Sequence, residues 1–158
     1  MEPYLLTCRL PDSHQDKVPA LVSLVEEDCE EIRNSLRVIY DPLPLNQQKE
    51  EFAVCSKGLD FPGEDISVKL VEWIETSRAL GAARIFLYTL DVHPNISKVL
   101  HYYSEAGLVD VKPITFPGYQ PNMPGLQHLY METKRRLTKL LQFEVMALND
   151  CLYRNIYR

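Results

Sequence analysis

Glycine is scarce in this sequence, and the glycines that are present do not form a phosphate-binding loop. Only six of the 158 residues are glycine. Gly58 and Gly63 fit neither the GxGxxG pattern of dinucleotide-binding proteins nor the P-loop pattern, and HExxH and GxSxG are also absent. His93, His101 and His128 lack the spacing of metal ligands. We therefore do not expect a dehydrogenase or a P-loop NTPase.

Long apolar runs and an excess of basic residues are lacking as well. No apolar stretch is long enough to span a membrane, and the N-terminus lacks the basic-then-apolar pattern of a signal peptide. With 17 basic and 22 acidic residues, the formal net charge is −5. This charge argues against general binding to nucleic acids or to anionic membranes, so we expect no nucleic-acid partner.

The four cysteines do not form a metal or redox motif. Cys8, Cys29, Cys55 and Cys151 include no CxxC pair, so a zinc site or a thioredoxin-type site is not expected. In an oxidising compartment four cysteines allow three pairings, whereas in a reducing one they would remain thiols. Composition alone leaves both alternatives open.

Residues 65–90 are predicted to form a long amphipathic helix followed by a buried strand. Asp65 is a good N-cap for a helix over residues 65–80, and Gly81 suits the left-handed conformation that often follows a helix. Residues 85–90 are apolar without alternation, which is typical of a parallel strand covered on both faces. The apolar stripe of the helix comprises Ile66, Val68, Leu70, Val71, Trp73, Ile74 and Leu80.

The whole chain is predicted to be an α/β protein with a parallel sheet, preceded by a short β-rich lead-in. We expect two parts, residues 1–50 and 51–158, because strands and helices alternate only in the second. Strands are predicted at 4–10, 19–25, 36–40, 52–55, 84–90 and 108–114. Helices are predicted at 65–80, at 96–106 and from 126 onwards, the last in one or two pieces. The expected loops are 56–63, 91–94 and 116–125, and Asn95 or Ser97 should cap the second helix.

Several acidic residues are predicted to meet at the carboxyl edge of the sheet, where ligands of open α/β proteins bind. Asp60, Glu64 and Asp65 follow the first strand, and Asp91 follows the next. Such carboxylates can accept hydrogen bonds from ribose hydroxyls or from a base N–H, although helix capping for Asp65 and a turn for Asp91 are simpler roles.

Three further polar residues have a possible binding role. Lys57 could neutralise a phosphate, or it could be an ordinary loop lysine. Asn149 and Asp150 stand in an apolar helical stretch, where they could bond to loops or face a ligand. Asn95-Ile96-Ser97 is an N-glycosylation acceptor sequence, relevant only in a lumenal protein, and its alternative role is a helix cap.

Segments over residues 50–158 resemble glycosyltransferase family 92. The resemblance starts at Gly58-Leu59-Asp60-Phe61-Pro62 and continues through the following helix, and its most telling piece is Asn149-Asp150-Cys151-Leu152-Tyr153-Arg154. The other matching pieces are Val68–Glu75, Arg78–Ala82, Ile85–Tyr88, Val99–Leu100, Tyr102–Tyr103, Gly107–Val111 and Gln120–Gly125. Their order and spacing together carry the resemblance.

The resemblance implies a GT-A-like fold, of which this chain would be the nucleotide-binding half. It implies transfer of a hexose, typically galactose from UDP-galactose, to a glycan acceptor hydroxyl with inversion at the anomeric carbon. It also implies the lumenal side of the Golgi membrane, and a Mn²⁺ ion on an Asp-x-Asp motif that neutralises the leaving diphosphate. On the donor side the resemblance implies Lys57, Asp91, Asn149 and Asp150, and it assigns no catalytic residue.

No Asp-x-Asp occurs in the 158 residues, so the resemblance implies no metal ligand in this chain. The motif is expected on a strand that would follow Arg158, and the chain is predicted to be a fragment or a truncated product. A membrane anchor would likewise lie outside it. We expect the chain alone to be inactive. The alternative is a truncated, non-catalytic paralogue that acts as a nucleotide-sugar-binding or protein-binding module.

The resemblance also bears on the cysteines. In a lumenal protein they would be oxidised, and the first strand and last helix could bring Cys55 and Cys151 together. Cys8–Cys29 would then be the complementary bridge.

Overall fold

A computed structural model describes residues 5–10, 12, 17–40, 52–116, 120–133 and 137–156 of the chain. The strands are β1 (Leu21–Val22), β2 (Leu36–Arg37), β3 (Ala53–Phe61), β4 (Arg84–Val92) and β5 (Val109–Pro113). The helices are α1 (Ser67–Ala79), α2 (Pro94–Glu105), α3 (Leu126–Thr133) and α4 (Leu137–Asn155). None of the helices in these ranges is both long enough and apolar enough to cross a membrane.

The sheet is parallel and its strands follow the chain order β3-β4-β5. Helices α1 and α2 are the two crossovers, as alternation of strands and helices requires for a parallel sheet. β1 and β2 form a separate two-stranded antiparallel sheet in the lead-in. The predicted α/β class, the parallel sheet and the β-rich lead-in are confirmed, while the division at residue 50 stays a prediction.

The central strand β4 is covered on both faces. Ile85 and Leu87 belong to a core formed with α1 and α2, whereas Phe86 and Tyr88 pack with Ala147 of α4 on the other face. Because side chains alternate along a strand, a strand buried on both sides needs apolar residues at every position. Burial on both faces therefore explains the apolar residues at 85–88, whereas Thr89 and Leu90 are only half-buried.

Helix α1 buries a narrower stripe than its sequence predicts. Leu70 and Ile74 are buried, but Val68 is 71% exposed, Trp73 38% and Leu80 74%. At about 100° per residue, Val68 lies on nearly the opposite side of the helix from Leu70. The spacing of apolar residues does not tell how much of a helix the neighbouring sheet and helices will cover. The prediction that these three side chains belong to the buried stripe is therefore wrong.

The helix ends confirm some predictions and correct others. Gly81 has φ +96°, as expected for the residue after a helix. The prediction that Asp65 is the N-cap is wrong, because α1 begins at Ser67 and Ile66 is its cap; Asp65 lies one residue earlier, where its Oδ1 accepts a hydrogen bond from the Ser67 backbone N–H at 3.0 Å. The cap of α2 is neither Asn95 nor Ser97. It is His93, whose Nδ1 accepts from the Asn95 backbone N–H at 3.2 Å, and Pro94 occupies the first helical position that proline favours.

Strands β3 and β4 are longer than predicted. β3 continues to Phe61, so most of the expected loop 56–63 is strand, and Asp91 lies within β4 instead of in the loop 91–94. Polar and glycine residues made this part of β3 resemble a loop. Pairing with β4 overrides that weak local preference, because strand propensity depends strongly on context.

The predicted strands of the lead-in shrink to two short ones. Only Leu21–Val22 and Leu36–Arg37 of the segments 19–25 and 36–40 are paired, and residues 5–10 form no strand. Tyr4 lies outside the described residues. The Asn34 side chain connects the two segments, since it accepts from the Leu24 N–H at 2.8 Å and donates to the Leu24 carbonyl at 2.6 Å.

A disulfide bond joins Cys55 of β3 to Cys151 of α4, with the two Cα atoms 5.9 Å apart. This is the pairing that the family resemblance implied. The complementary bridge is wrong, because Cys8 and Cys29 are exposed free thiols. The described residues on either side of each, 5–10 around Cys8 and 26–32 around Cys29, are exposed as well.

Candidate functional site

An irregularity in the pairing of β3 with β4 places two carboxylates at the carboxyl edge of the sheet. Leu59 pairs with Thr89 and Phe61 with Val92, so that Asp60 alone lies opposite two residues of β4, one of which is Asp91. Such bulges redirect side chains and occur often beside active sites. The distortion belongs to the strand ends, where ligands of parallel sheets bind.

Both carboxylates hold helix α3 over this edge. Asp60 Oδ2 lies 3.1 Å from His128 Nδ1, within hydrogen-bond distance, and Asp91 Oδ2 accepts from the Gly125 backbone N–H at 2.8 Å. Gly125 directly precedes α3, where unpaired backbone N–H groups favour a negative partner. The two strand ends and α3 therefore enclose one acidic site, formed by Asp60, Asp91, Gly125 and His128, which we call the edge site.

Asp60 is the electrostatically unusual member of the edge site. Its side chain is only 14% exposed, and burial raises the pKa of Asp60, with His128 acting against the shift and Asp91 and Glu132 adding to it. Its second oxygen, Oδ1, is buried and has no hydrogen-bond partner among the described residues. A buried acceptor without a donor costs free energy, so a ligand that supplies an O–H or N–H would be favoured here.

The segment before α3 is fixed to the core by one asparagine. Asn122 accepts from the Phe116 N–H at 2.7 Å and donates to the Phe116 carbonyl at 2.9 Å, and the buried Gln127 donates to Asn122 at 3.2 Å. The Phe116 ring packs against Tyr130 of α3 and Phe143 of α4. These contacts hold α3 against the sheet, which keeps His128 beside Asp60. Residues 117–119 of the expected loop 116–125 lie outside the described residues.

A family model for glycosyltransferase family 92 matches residues 50–158. The chain belongs to glycosyltransferase family 92. The match includes all three strands of the parallel sheet and the edge site. Neither a curated protein nor a solved structure matches the chain. Membership implies a nucleotide-sugar donor and a glycan acceptor, the reactants of a glycosyltransferase.

Only one of the four donor-side residues inferred from the family 92 resemblance lies at the edge site. That residue is Asp91. Lys57, in the middle of β3, forms an ion pair with Glu144 of α4 at 2.9 Å while its side chain stays 60% exposed. Asn149 is exposed on α4. Asp150 accepts from the Tyr88 hydroxyl and from Arg154 Nε, both at 2.6 Å.

The course of α4 explains this separation. Phe143 contacts Phe116 near the edge site. Ala147 and Cys151, by contrast, pack nearer the amino end of β4, against Phe86 and Tyr88. Asp150 lies seven positions after Phe143, which is about 10 Å along the helix. The structure therefore brings Asp60, Asp91 and His128 together, and places Asn149 and Asp150 elsewhere on α4.

His128 is the residue of the edge site that sequence reasoning missed. Its spacing from other histidines gave no metal signal, and its partner Asp60 lies 68 positions away. The only sequence clue is Gly125, which starts a helix that must cover some part of the sheet. Of the other predicted edge residues, Asp65 instead hydrogen-bonds Ser67 and Asn95, and these bonds lower the pKa of Asp65 to about 2.

The described residues do not fit the Mn²⁺ ion that the family resemblance implies. They contain no group of three or more histidine, cysteine, aspartate or glutamate side chains placed to hold a metal. A divalent cation on a diphosphate needs several oxygen ligands, and among the described residues the Asp60–His128 pair and Asp91 are not placed to supply them together.

Proposed function

We propose that this family 92 chain binds the donor nucleotide at the edge site. The observation that carries the proposal is the buried Asp60 Oδ1, which lacks a hydrogen-bond donor among the described residues. A ribose hydroxyl or a base N–H would supply that donor, which is the role of acidic residues at strand ends in other nucleotide-binding α/β folds. Asp91, already bonded to Gly125, would orient the segment that closes the site.

We propose that the donor is UDP-galactose and that the full reaction is a hexosyl transfer of the 2.4.1 type with inversion onto a glycan hydroxyl. Support comes from the family resemblance over residues 50–158 and from an edge site suited to a nucleoside. An inverting transfer needs a carboxylate base at the acceptor hydroxyl and a stabilised diphosphate leaving group. We assign neither role to a residue of this chain.

We propose that Lys57 leaves its ion pair with Glu144 and binds a phosphate of the donor instead. Its exposed ammonium can leave the carboxylate at little cost, because exposed ion pairs contribute about 0–1 kcal/mol.

Asn149 and Asp150 are proposed as a second donor-side group on α4. The Tyr88 hydroxyl and Arg154 Nε both donate to Asp150 Oδ2, so a ligand hydroxyl is proposed to donate to Oδ1.

Mn²⁺ is proposed to assist the family reaction through an Asp-x-Asp that these 158 residues do not contain. We accordingly propose that the chain by itself binds UDP without Mn²⁺ and transfers no sugar. We also propose a place on the lumenal side of the Golgi membrane. The Cys55–Cys151 disulfide supports this placement, since disulfides persist in oxidising compartments.

A second candidate function is a nucleotide-sugar-binding or protein-binding module without catalysis. The absence of an Asp-x-Asp from the sequence favours it. The two functions differ in turnover: an assay with UDP-galactose and mixed glycan acceptors should release UDP only from an enzyme, whereas both would bind UDP.

Isothermal titration of the chain with UDP, with UDP-galactose and with ADP tests the edge site. We expect UDP to bind equally with and without Mn²⁺, and Asp60→Asn to weaken binding at least about tenfold, or about 1.4 kcal/mol. Asp91→Asn should also weaken it, and Glu105→Gln, on an exposed part of α2, should not. Equal affinity of Asp60→Asn and the unaltered chain would exclude Asp60 from the site, and strongly Mn²⁺-dependent binding would contradict the metal-free proposal.

The same titration tests the other proposed residues. Lys57→Gln should weaken UDP more than it weakens uridine, because only UDP carries phosphates for a lysine to neutralise. Asn149→Ala and Asp150→Asn should weaken UDP-galactose if α4 contacts the donor. If both variants bind UDP-galactose with unchanged affinity, Asn149 and Asp150 do not contact the donor.

A further inference from the structure

The start of α2 carries the only Asn-x-Ser/Thr sequence of the chain, Asn95-Ile96-Ser97. Oligosaccharides are attached to the asparagine of such sequences when residue x is not proline. Modification of Asn95 requires that its side chain is exposed, that a glycan has room there, and that the protein is in an oxidising, lumenal compartment.

The three side chains of the acceptor sequence differ in exposure in the way that a modified site requires. Asn95 and Ser97 are exposed, whereas Ile96 between them is fully buried in the core shared by α1 and α2. On a helix, neighbouring residues point about 100° apart, so burial of Ile96 directs the two polar residues away from the core. An oligosaccharide on Asn95 would extend into solvent and would not displace core residues.

The disulfide supplies a second, independent observation. Cys55 and Cys151 are joined between β3 and α4, and stable disulfides of this kind form where the compartment is oxidising. N-linked oligosaccharides are added in the same secretory compartment, to surface segments of secreted or lumenal proteins. The acceptor sequence and the disulfide therefore point to the same cellular environment.

The hydrogen bond that the Asn95 side chain donates is compatible with modification. Asn95 Nδ2 donates a hydrogen bond to Asp65 Oδ2 at 2.6 Å and so connects the start of α2 to the start of α1. An unmodified carboxamide has two N–H groups. A glycan replaces one of them, and the remaining N–H can still donate to Asp65.

We propose that Asn95 is an N-glycosylation site and that its glycan projects from the first turn of α2. In the modification, a C–N bond forms between Nδ2 and the anomeric carbon of a lipid-diphosphate-linked oligosaccharide. The C–O bond to the diphosphate breaks, the lipid diphosphate leaves, and the nitrogen loses one proton. The inference rests on the lumenal placement in the proposed function and is independent of nucleotide binding at the edge site.

Expression of the full chain in mammalian cells behind a cleavable secretion signal tests the inference directly. We expect one mobility shift that peptide-N-glycosidase F removes, and digestion in ¹⁸O-water should leave labelled aspartate at position 95. Asn95→Gln and Ser97→Ala should each abolish the shift. Ser97→Thr, which preserves the acceptor sequence, should keep it.

Loss of the shift in Asn95→Gln could also come from misfolding. Ser97→Ala controls for this, because it leaves the Asn95–Asp65 hydrogen bond in place. Secreted chain with the Cys55–Cys151 disulfide intact and no glycan at Asn95 would overturn the inference. A shift that survives both Asn95→Gln and Ser97→Ala would overturn it as well. Neither result depends on UDP affinity, so the nucleotide site and the glycan site can fail separately.

Discussion

At the scale of single residues, Asp60 combines burial, a histidine partner and an oxygen for which the described part of the chain supplies no donor. Because the pKa of Asp60 is raised in the folded chain, the folded state binds this proton more tightly than the unfolded state does. Asp60 therefore favours folding at low pH, and this contribution is lost as the pH rises through the folded pKa. A residue that opposes folding when ionised is better explained by ligand binding than by stability.

The Asp60→Asn variant should consequently be more stable than the unaltered chain at neutral pH. Asparagine keeps the shape and can still bond to His128 while it removes the buried charge. We expect its free energy of unfolding to exceed that of the unaltered chain by about 1 kcal/mol at pH 7, with the difference shrinking towards about pH 4. Urea unfolding across this range measures it, with the exposed Glu64→Gln as control, and an equal loss at every pH would argue against a raised pKa.

Asp150 should show the opposite pH dependence. Burial would raise the pKa of Asp150, but hydrogen bonds from Arg154 and Tyr88 outweigh burial and lower it. The carboxylate thus stabilises the fold above its unfolded pKa, and the contribution is lost as the pH falls through the folded pKa. Asp150→Asn should cost up to about 1 kcal/mol at pH 7, less if solvent screens the pair, and little at low pH. The neighbouring Asn149→Ala should cost little at either pH.

Gly58 shows how closely α4 approaches the sheet. A Cβ atom at this position would lie 3.1 Å from Phe143 Cε1, closer than side chains normally tolerate. Gly58→Ala should therefore lower the free energy of unfolding by about 1 kcal/mol or more through displacement of Phe143. Gly63→Ala is the matched control, because a Cβ atom there would meet no described residue beyond its chain neighbours within 4 Å, and it should be neutral or slightly stabilising in thermal unfolding. Equal melting temperatures would show that α4 is more distant.

At the scale of elements, α4 closes one face of the sheet through both packing and a covalent bond. The Cys55–Cys151 disulfide links positions 96 residues apart, so it restricts the unfolded chain strongly. Replacement of both cysteines by alanine should cost about 2–5 kcal/mol, measured by urea unfolding, and reductant should reproduce the loss in the unaltered chain. The double variant Cys8→Ser and Cys29→Ser should change little, since both thiols are exposed. Full stability under reductant would contradict the bond.

At the scale of the whole molecule, the sequence predicts the order of elements well because each has its own periodic or apolar pattern. The apolar run that begins at Ile85 sufficed for most of β4, and Gly81 for the end of α1. The extension of β3 to Phe61 was not predictable, because its polar residues become strand only by pairing with β4. That Asp60 and Asp91 meet at the carboxyl edge was predictable from their places after two strands, but their neighbour His128 was not, because it lies 68 residues beyond Asp60.

The central claim is that a nucleotide binds at the carboxyl edge of β3 and β4. The most direct test is a titration of the isotope-labelled chain with UDP, followed by backbone amide chemical shifts. We expect changes concentrated at Leu59–Phe61, Asp91–Val92 and Gly125–His128. Changes confined to the cleft of about 280 Å³ at the amino ends of the strands, lined by Glu75, Arg78 and Tyr102, would contradict the claim, as would no change at saturating UDP.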